Sequence, residues 1–188
     1  ALFTFREHSQ GILHPEKPLE LLTGLEQRLS LFEQYGIDLC FLKTFTRKFS
    51  TMEAEDFVKK ILLQKLGTRE ICLGTNAHFG HDRKGNASFM RLLAERWGFK
   101  FEEIPPVKRE GEFVSSSRIR KLIKGGHLGE AADCLGRPFS IFGKVIPGKG
   151  RGRQLGFPTA NLHTGKVVLP PCGVYPVSLR RLKIEQEA

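Results

Sequence analysis

The sequence predicts an α/β protein in two parts: a parallel sheet crossed by helices over residues 1–136, then the start of an all-β module over residues 137–188. Three observations predict this. Short apolar runs alternate with segments of helical period from Leu2 to Leu135, the pattern of a parallel sheet with right-handed crossovers. Helical periodicity stops after Gly136, where strand-like alternation and a Gly- and Arg-rich run take over. The length of 188 residues holds one domain, or one and part of another, at roughly 100–200 residues each. About 50 residues after the boundary are too few for an independent barrel, so the second module reads as cut short.

The elements follow in order. Leu2–Phe5 is a short apolar strand. Leu21, Leu22, Leu25, Leu29 and Phe32 recur at helical spacing, with Gly36 as the stop. Asp38–Leu42 is a second strand. Ser50 and Glu53 form a capping box for a helix striped by Phe57, Val58, Ile61, Leu62 and Leu66, which Gly67 ends. Glu70–Leu73 is a strand, followed by a loop to about Asn86, a helix over Ser88–Trp97 closed by Gly98, and a strand over Phe99–Ile104 ended by Pro105-Pro106. Helices over Ser115–Lys124 and His127–Leu135 complete the first part. Phe139–Ile146, Val167–Leu169 and Gly173–Leu182 read as the strands of the second. Ligands of parallel sheets sit at the carboxyl ends of strands, which directs attention to the loops after Phe5, Leu42, Leu73 and Ile104.

Composition excludes whole classes. Apolar residues make up 40%, too many for a wholly disordered chain. No run approaches the roughly 20 apolar residues of a membrane helix, and no leader pattern is visible, although the sequence begins at Ala1 rather than Met. Cys40, Cys72, Cys134 and Cys172 are widely spaced, without a C-x-x-C pair. They suit neither zinc nor a disulfide framework and read as buried free thiols of a cytoplasmic protein. The net charge is +10, and between Lys108 and Arg153 eleven basic residues face four acids. A basic block interleaved with Gly and Ser suggests phosphate, on a nucleotide or a nucleic acid.

Three constellations could carry chemistry. Val114-Ser115-Ser116-Ser117-Arg118-Ile119-Arg120 places hydroxyls, N–H groups and the positive helix end beside two arginines, a fit for an anion. Its plainer reading is a Ser-capped helix with solvated arginines. Gly148 to Asn161 alternates Gly with Lys149, Arg151 and Arg153, then presents Thr159 and Asn161 two residues apart. On one face of an extended segment those two offer hard oxygens suited to Mg²⁺. No Gly-Lys-Ser/Thr closes a Walker A loop, and a flexible basic hairpin or an RNA-binding Arg/Gly segment fits the composition equally. His78-Phe79-Gly80-His81 fits H-x-G-H, which nucleotidyltransferases use on ATP phosphates, but Asp82–Asn86 separate it from the next helix.

Together these residues resemble the bacterial bifunctional riboflavin kinase/FMN adenylyltransferase (FAD synthetase) family, from about Leu2 to Val177. Phe79-Gly80 with Gly85-Asn86 resembles its F-G-x4-G-[DN] loop, Ser115–Arg120 its S-S-[ST]-R-I-R motif, and Gly148–Asn161 its loop ending G-F-P-T-A-N. Gly173-Val174-Tyr175 fits the strand after that loop. The resemblance implies a Rossmann-like nucleotidyltransferase sheet, incomplete at its N-terminus, followed by a truncated all-β riboflavin kinase barrel. It implies phosphorylation of riboflavin to FMN and adenylylation of FMN to FAD with pyrophosphate release, both with Mg²⁺ and ATP. Carried over, Ser116, Ser117, Arg118 and Arg120 hold ATP phosphates, and Phe79, Gly80 and Asn86 line the flavin and nucleotide pocket. Gly148 and Arg153 contact ATP in the kinase part, and Thr159 and Asn161 bind Mg²⁺.

The sequence also departs from the family. The family's G-x-F-D-x-x-H-x-G-H lies upstream of the segment matched by Leu2–Phe5, which makes the local HFGH a coincidence. T-F-x-P-H-P is replaced by Thr4-Phe5-Arg6-Glu7-His8-Ser9, and Pro176 falls in an expected ladder strand. The kinase glutamate and flavin-binding residues of the family lie beyond Ala188. The resemblance therefore implies the middle of a bifunctional enzyme, both sites incomplete, with its main catalytic residues outside the chain and little turnover alone. The expected partners are small molecules, with no nucleic acid and no membrane. The competing reading, a basic nucleic-acid-binding α/β protein, lacks aromatics interleaved with the basic run apart from Phe157.

Overall fold

A computed structural model describes residues 1–16, 19–154, 156–157 and 159–180, leaving aside the side chain of Arg153. Strand β1 (Leu2–Phe5) pairs in parallel with β2 (Cys40–Lys43), Leu2 opposite Cys40 and Phe5 opposite Lys43. Between them lie α1 (Ser9–Leu13) and α2 (Leu25–Gln34). After β2 come α3 (Arg47–Ser50) and α4 (Ala54–Asp56), which runs on as a π-helix over Phe57–Lys65. Strand β3 (Glu70–Gly74) pairs in parallel with β4 (Lys100–Ile104) across α5 (Ala87–Trp97). The expected parallel α/β arrangement is present, as two strand pairs with no ladder joining them among the described residues.

The first core explains the alternation. Ile71 is buried and Leu73 and Phe101 half-buried, while Glu70, Cys72 and Glu102 face outward. Ile71 packs with Val58 and Leu62 of the π-helix, Met90, Leu93 and Ala94 of α5, and Phe99. Phe3 of β1 reaches the same core, edge-on to Phe57 with ring centroids 5.4 Å apart. Gly98 ends α5 in the left-handed conformation at φ 71°, which Gly adopts without steric cost.

A β-hairpin, β5 (Lys108–Arg109) with β6 (Glu112–Phe113), leads into α6 (Ser116–Lys124) and α7 (Leu128–Leu135). The second core joins Ile119 and Ile123 of α6, Ala131 of α7, and Val168. Further on, β7 (Lys144–Ile146) and β8 (Asn161–His163) form an antiparallel ribbon, separated by the short α8 (Arg151–Gln154).

Several sequence expectations are corrected. Leu21 and Leu22 lie outside α2, because Leu21 is spent on a parallel bridge to Val167. Ser50 does not cap the long helix. It closes α3, its hydroxyl donating to the Arg47 carbonyl, and Thr46 caps that turn. The strand expected from Phe139 begins at Lys144, because Phe139 packs on the second core and Ser140 is held by Gln27. Residues 173–180 form no ladder, where Pro176 lacks a donor; Arg181 and Leu182, the end of that expected strand, lie outside the described residues. A helical turn, α8, stands where none was expected. Cys72 and Cys172 are exposed and Cys40 and Cys134 half-buried, so the thiols are free but not buried.

Candidate functional site

The anion-suited helix start forms as the sequence suggests. Ser115 is the N-cap of α6, its hydroxyl accepting from the Arg118 amide at 3.2 Å, which leaves the hydroxyls of Ser116 and Ser117 exposed on the first turn. The hydrophobic side of α6 is pinned by Ile119 and Ile123, 5% and 0% exposed. Arg118 and Arg120 therefore project from a helix whose rotation is fixed.

Both arginines are already engaged. Arg118 donates from Nη1 to the carbonyls of Arg109 (3.1 Å) and Glu112 (3.2 Å), and pairs with the carboxylates of Glu112 (3.3 Å) and Glu110 (3.9 Å). Arg120 donates from Nε to the Glu20 carbonyl at 2.6 Å. Burial pulls the Arg120 guanidinium below its ordinary value, and Glu20 works against that. His8 lies in the same electrostatic neighbourhood. Its imidazole is pushed down by burial first and then by the positive charges of Arg120 and Arg28. Arg28 in turn donates to the carbonyls of Phe5 (2.5 Å) and Arg6 (3.2 Å). The carboxyl end of β1 thus gathers His8, Arg28 and Arg120. Sequence reasoning points to the loop after Phe5 but misses His8 and Arg28, because long-range packing brings α2 and α6 to it.

The Phe79–Asn86 loop is closed by its own backbone, with Phe79 and Gly85 exchanging both hydrogen bonds. The Phe79 ring is half-buried and packs on Phe57 at 5.9 Å between centroids. It lies so close over Gly85 that a Cβ there would enter the ring. A Cβ on Gly80 (φ 74°) would meet the Ala54 backbone at 2.5 Å. Asn86 caps α5, its side-chain oxygen accepting from the Phe89 amide at 2.9 Å. Each therefore has a structural duty whatever else it contacts. The two histidines differ in exposure and in partner. His78 is exposed beside the Arg83 carbonyl at 3.3 Å, and His81 is half-buried beside Asp82 at 3.3 Å.

The second glycine loop folds back on the predicted oxygen ligands. A Cβ on Gly148 would collide with the Asn161 amide nitrogen, and one on Gly152 would lie 2.9 Å from the Thr159 hydroxyl. Asn161 pairs with Ile146 across the β7–β8 ribbon, which holds the loop's two ends together. Gly148, Thr159 and Asn161 are brought into one place. Arg153 contributes its backbone to α8, and its side chain lies outside the described residues. No group of three or more His, Cys, Asp or Glu suited to a metal is found among the described residues. Likewise, no helix among them is long and apolar enough to cross a membrane.

Comparison with known proteins connects the two loops. Residues 1–118 match the family model described as FAD synthetase, and residues 135–186 match riboflavin kinase. The bifunctional riboflavin kinase/FMN adenylyltransferase of Buchnera aphidicola subsp. Schizaphis graminum is 35% identical over 179 residues, 95% of this chain and 57% of that protein. The Haemophilus influenzae protein of the same description is 31% identical, covering 93% and 56%. That of Escherichia coli K12 is 30% identical, covering 89% and 56%. The chain thus spans a little over half the length of these relatives. A solved structure, named as a macrolide-efflux protein from Streptococcus pneumoniae, superimposes with TM-score 0.75 at 29% identity. It covers 90% of this chain and 55% of that one.

Proposed function

Because the chain belongs to the FAD synthetase family, we propose that it carries parts of two ATP-dependent sites that convert riboflavin to FMN and FMN to FAD. Residues 1–136 would serve adenylyl transfer on a Rossmann-like sheet. Residues 137–188 would belong to a riboflavin kinase barrel. The observation that supports this best is the pair of separate glycine-shaped loops, Phe79–Asn86 and Gly148–Asn161, each within its own family match. Cytoplasmic residence suits both substrates and the free thiols.

In the first site, Ser116, Ser117, Arg118 and Arg120 would hold ATP phosphates at the positive end of α6. Phe79, Gly80 and Asn86 would shape the flavin and nucleotide pocket. Adenylyl transfer needs no protein nucleophile. It needs the FMN phosphate and the α-phosphorus in line, with developing charge neutralised. Arg118 would have to exchange its Glu110 and Glu112 carboxylates, both exposed, for phosphate, while its hydrogen bonds to the Arg109 and Glu112 carbonyls would keep the guanidinium in place.

In the second site, Gly148 and Arg153 would contact ATP, and Thr159 and Asn161 would hold Mg²⁺. The donor set fits that ion. A hydroxyl and an amide oxygen are hard ligands, and Mg²⁺ completes its shell with water and substrate phosphates rather than an all-protein cage. When bound, it would neutralise phosphate charge during transfer.

Chromatographic detection of FMN and FAD, made with Mg²⁺ and ATP, tests the division. Asn161→Ala should remove Mg-dependent handling of ATP with riboflavin and spare that with FMN, and Arg118→Ala should do the reverse. Equal damage to both by both variants would overturn the two-site assignment. Binding of Mg·ATP and FMN, followed by calorimetry and flavin fluorescence, gives the same comparison where turnover is low.

A further inference from the structure

The segment matched to riboflavin kinase does not stay apart from the helix that carries the first site's arginines. Leu21 donates its amide to the Lys166 carbonyl at 2.8 Å, and Val168 donates to the Leu21 carbonyl at 2.8 Å. One residue after Glu20, the chain is therefore clamped on both sides by residues 166–168. The Val168 side chain then passes under α6 and is 0% exposed, beside Ile119, Ile123 and Ala131.

Arg120 sits between these two fixtures. Its helix rests on Val168, and its Nε donates to the carbonyl of Glu20, the residue that the Leu21 clamp holds in place. The Glu20 carboxylate pairs with Lys124 one turn further along the same helix, which ties the helix to the clamp a second time. Among the described residues, the hydrogen bond of the Arg120 side chain runs through Nε, and none is found at Nη1 or Nη2. Its Nε is thus fixed while its fork is left for a ligand, the geometry in which a guanidinium grips phosphate.

We propose that Val168, from the kinase-matched segment, is a positioning residue for Arg120 on α6, the helix that begins inside the FAD synthetase match. It sets the helix floor and, through Leu21, the carbonyl that aims the guanidinium. The functional weight rests on the assignment of Arg120 to the nucleotide site. The mechanical part rests only on the contacts above. A consequence is that the two halves are not separable at residue 136, since removing the second half removes the floor of α6.

Two measurements on the whole chain test this. The first is hydrogen exchange of the Arg120 Nε–H, followed by NMR in the free protein. Val168→Ala should speed it at least several-fold while leaving the Ile71 amide of the first core unchanged. No change in the Arg120 signal, or equal acceleration of both, overturns the proposal. The second is a double-mutant cycle read as Mg·ATP affinity. Val168→Ala should weaken binding about three- to tenfold, the range of such indirect couplings, and have no effect when Arg120 is already Ala. Equal weakening on both backgrounds makes Val168 a packing residue only and overturns its role through Arg120. If the chain bound no Mg·ATP, the nucleotide assignment would fail, and the exchange measurement would still decide whether Val168 holds Arg120. Should Val168→Ala not fold, Val168→Thr carries both tests, because its hydroxyl would be buried in the apolar floor of α6 and disturb it without opening a cavity.

Discussion

Single atoms decide which glycines matter. At Gly85 a methyl group would enter the Phe79 ring, and at Gly148 it would enter the Asn161 amide. Gly85→Ala should cost about 1–3 kcal/mol by overpacking, read as a lower urea midpoint, and an unchanged midpoint would refute the close approach. Gly148→Ala should leave the midpoint nearly unchanged, because the ribbon is exposed, yet weaken Mg-dependent ATP binding by displacing Asn161. His8 supplies a pH dependence. Its Nδ1 accepts from the Gln10 amide at 3.2 Å, and burial, then Arg120 and Arg28, push it below its ordinary 6.5. As pH falls below 6.5, the unfolded chain takes up this proton before the folded one, so stability falls with it. Melting curves between about pH 7.5 and 5.5 should show the wild type losing more than His8→Asn, which keeps an acceptor. Parallel losses would remove His8 from the account.

At the scale of elements, caps and floors do the positioning. In the sequence Asn86 closes the loop before the next helix, and in the structure it starts α5, since a short side chain that disfavours the helix interior is well suited to cap it. Asn86→Ala should cost about 1 kcal/mol, as should Ser115→Ala at α6. Circular dichroism against urea measures both. The Ser115 change should also weaken ATP binding, because it loosens the turn bearing Ser116 and Ser117. The late start of the strand expected at Phe139 has a related cause. Its alternation is real, but Phe139 is spent on the second core and Ser140 on the buried Gln27 side chain, so pairing starts only at Lys144.

Across the whole molecule, two cores divide the labour. The first joins β1, β3, β4, α5 and the π-helix, and the second joins α6, α7 and Val168. Val168→Asp should destabilise the second core severely, since a lone buried carboxylate costs several kcal/mol, and proteolysis near residues 114–135 should accelerate. The charge of +10 is a separate matter. It draws polyanions at low salt, but such binding decays steeply with ionic strength. At about 0.15 M salt, where charges are screened beyond ~8 Å, single-stranded DNA should not displace Mg·ATP. Displacement there would favour the nucleic-acid reading.

Much of this is legible in the residues. Periodicity places most helices and the strands at Leu2, Leu42, Leu73 and Ile104, because each buries one face and the pattern of burial is written locally. The motifs at Ser115–Arg120 and Gly148–Asn161 are likewise visible, since turns and caps demand particular residues at fixed spacing. What the sequence does not reveal is who meets whom across the chain. That Arg120 leans on the Glu20 carbonyl, that His8 lies near both Arg28 and Arg120, and that Val168 completes the floor of α6 all depend on contacts between distant segments, and even Arg118, held by the neighbouring Glu110–Glu112 hairpin, depends on how that hairpin turns back on α6. Local chemistry determined the elements and the two motifs. Only the tertiary structure decided how the arginines are aimed, because aiming a long side chain requires fixed partners, and those partners come from elsewhere in the chain.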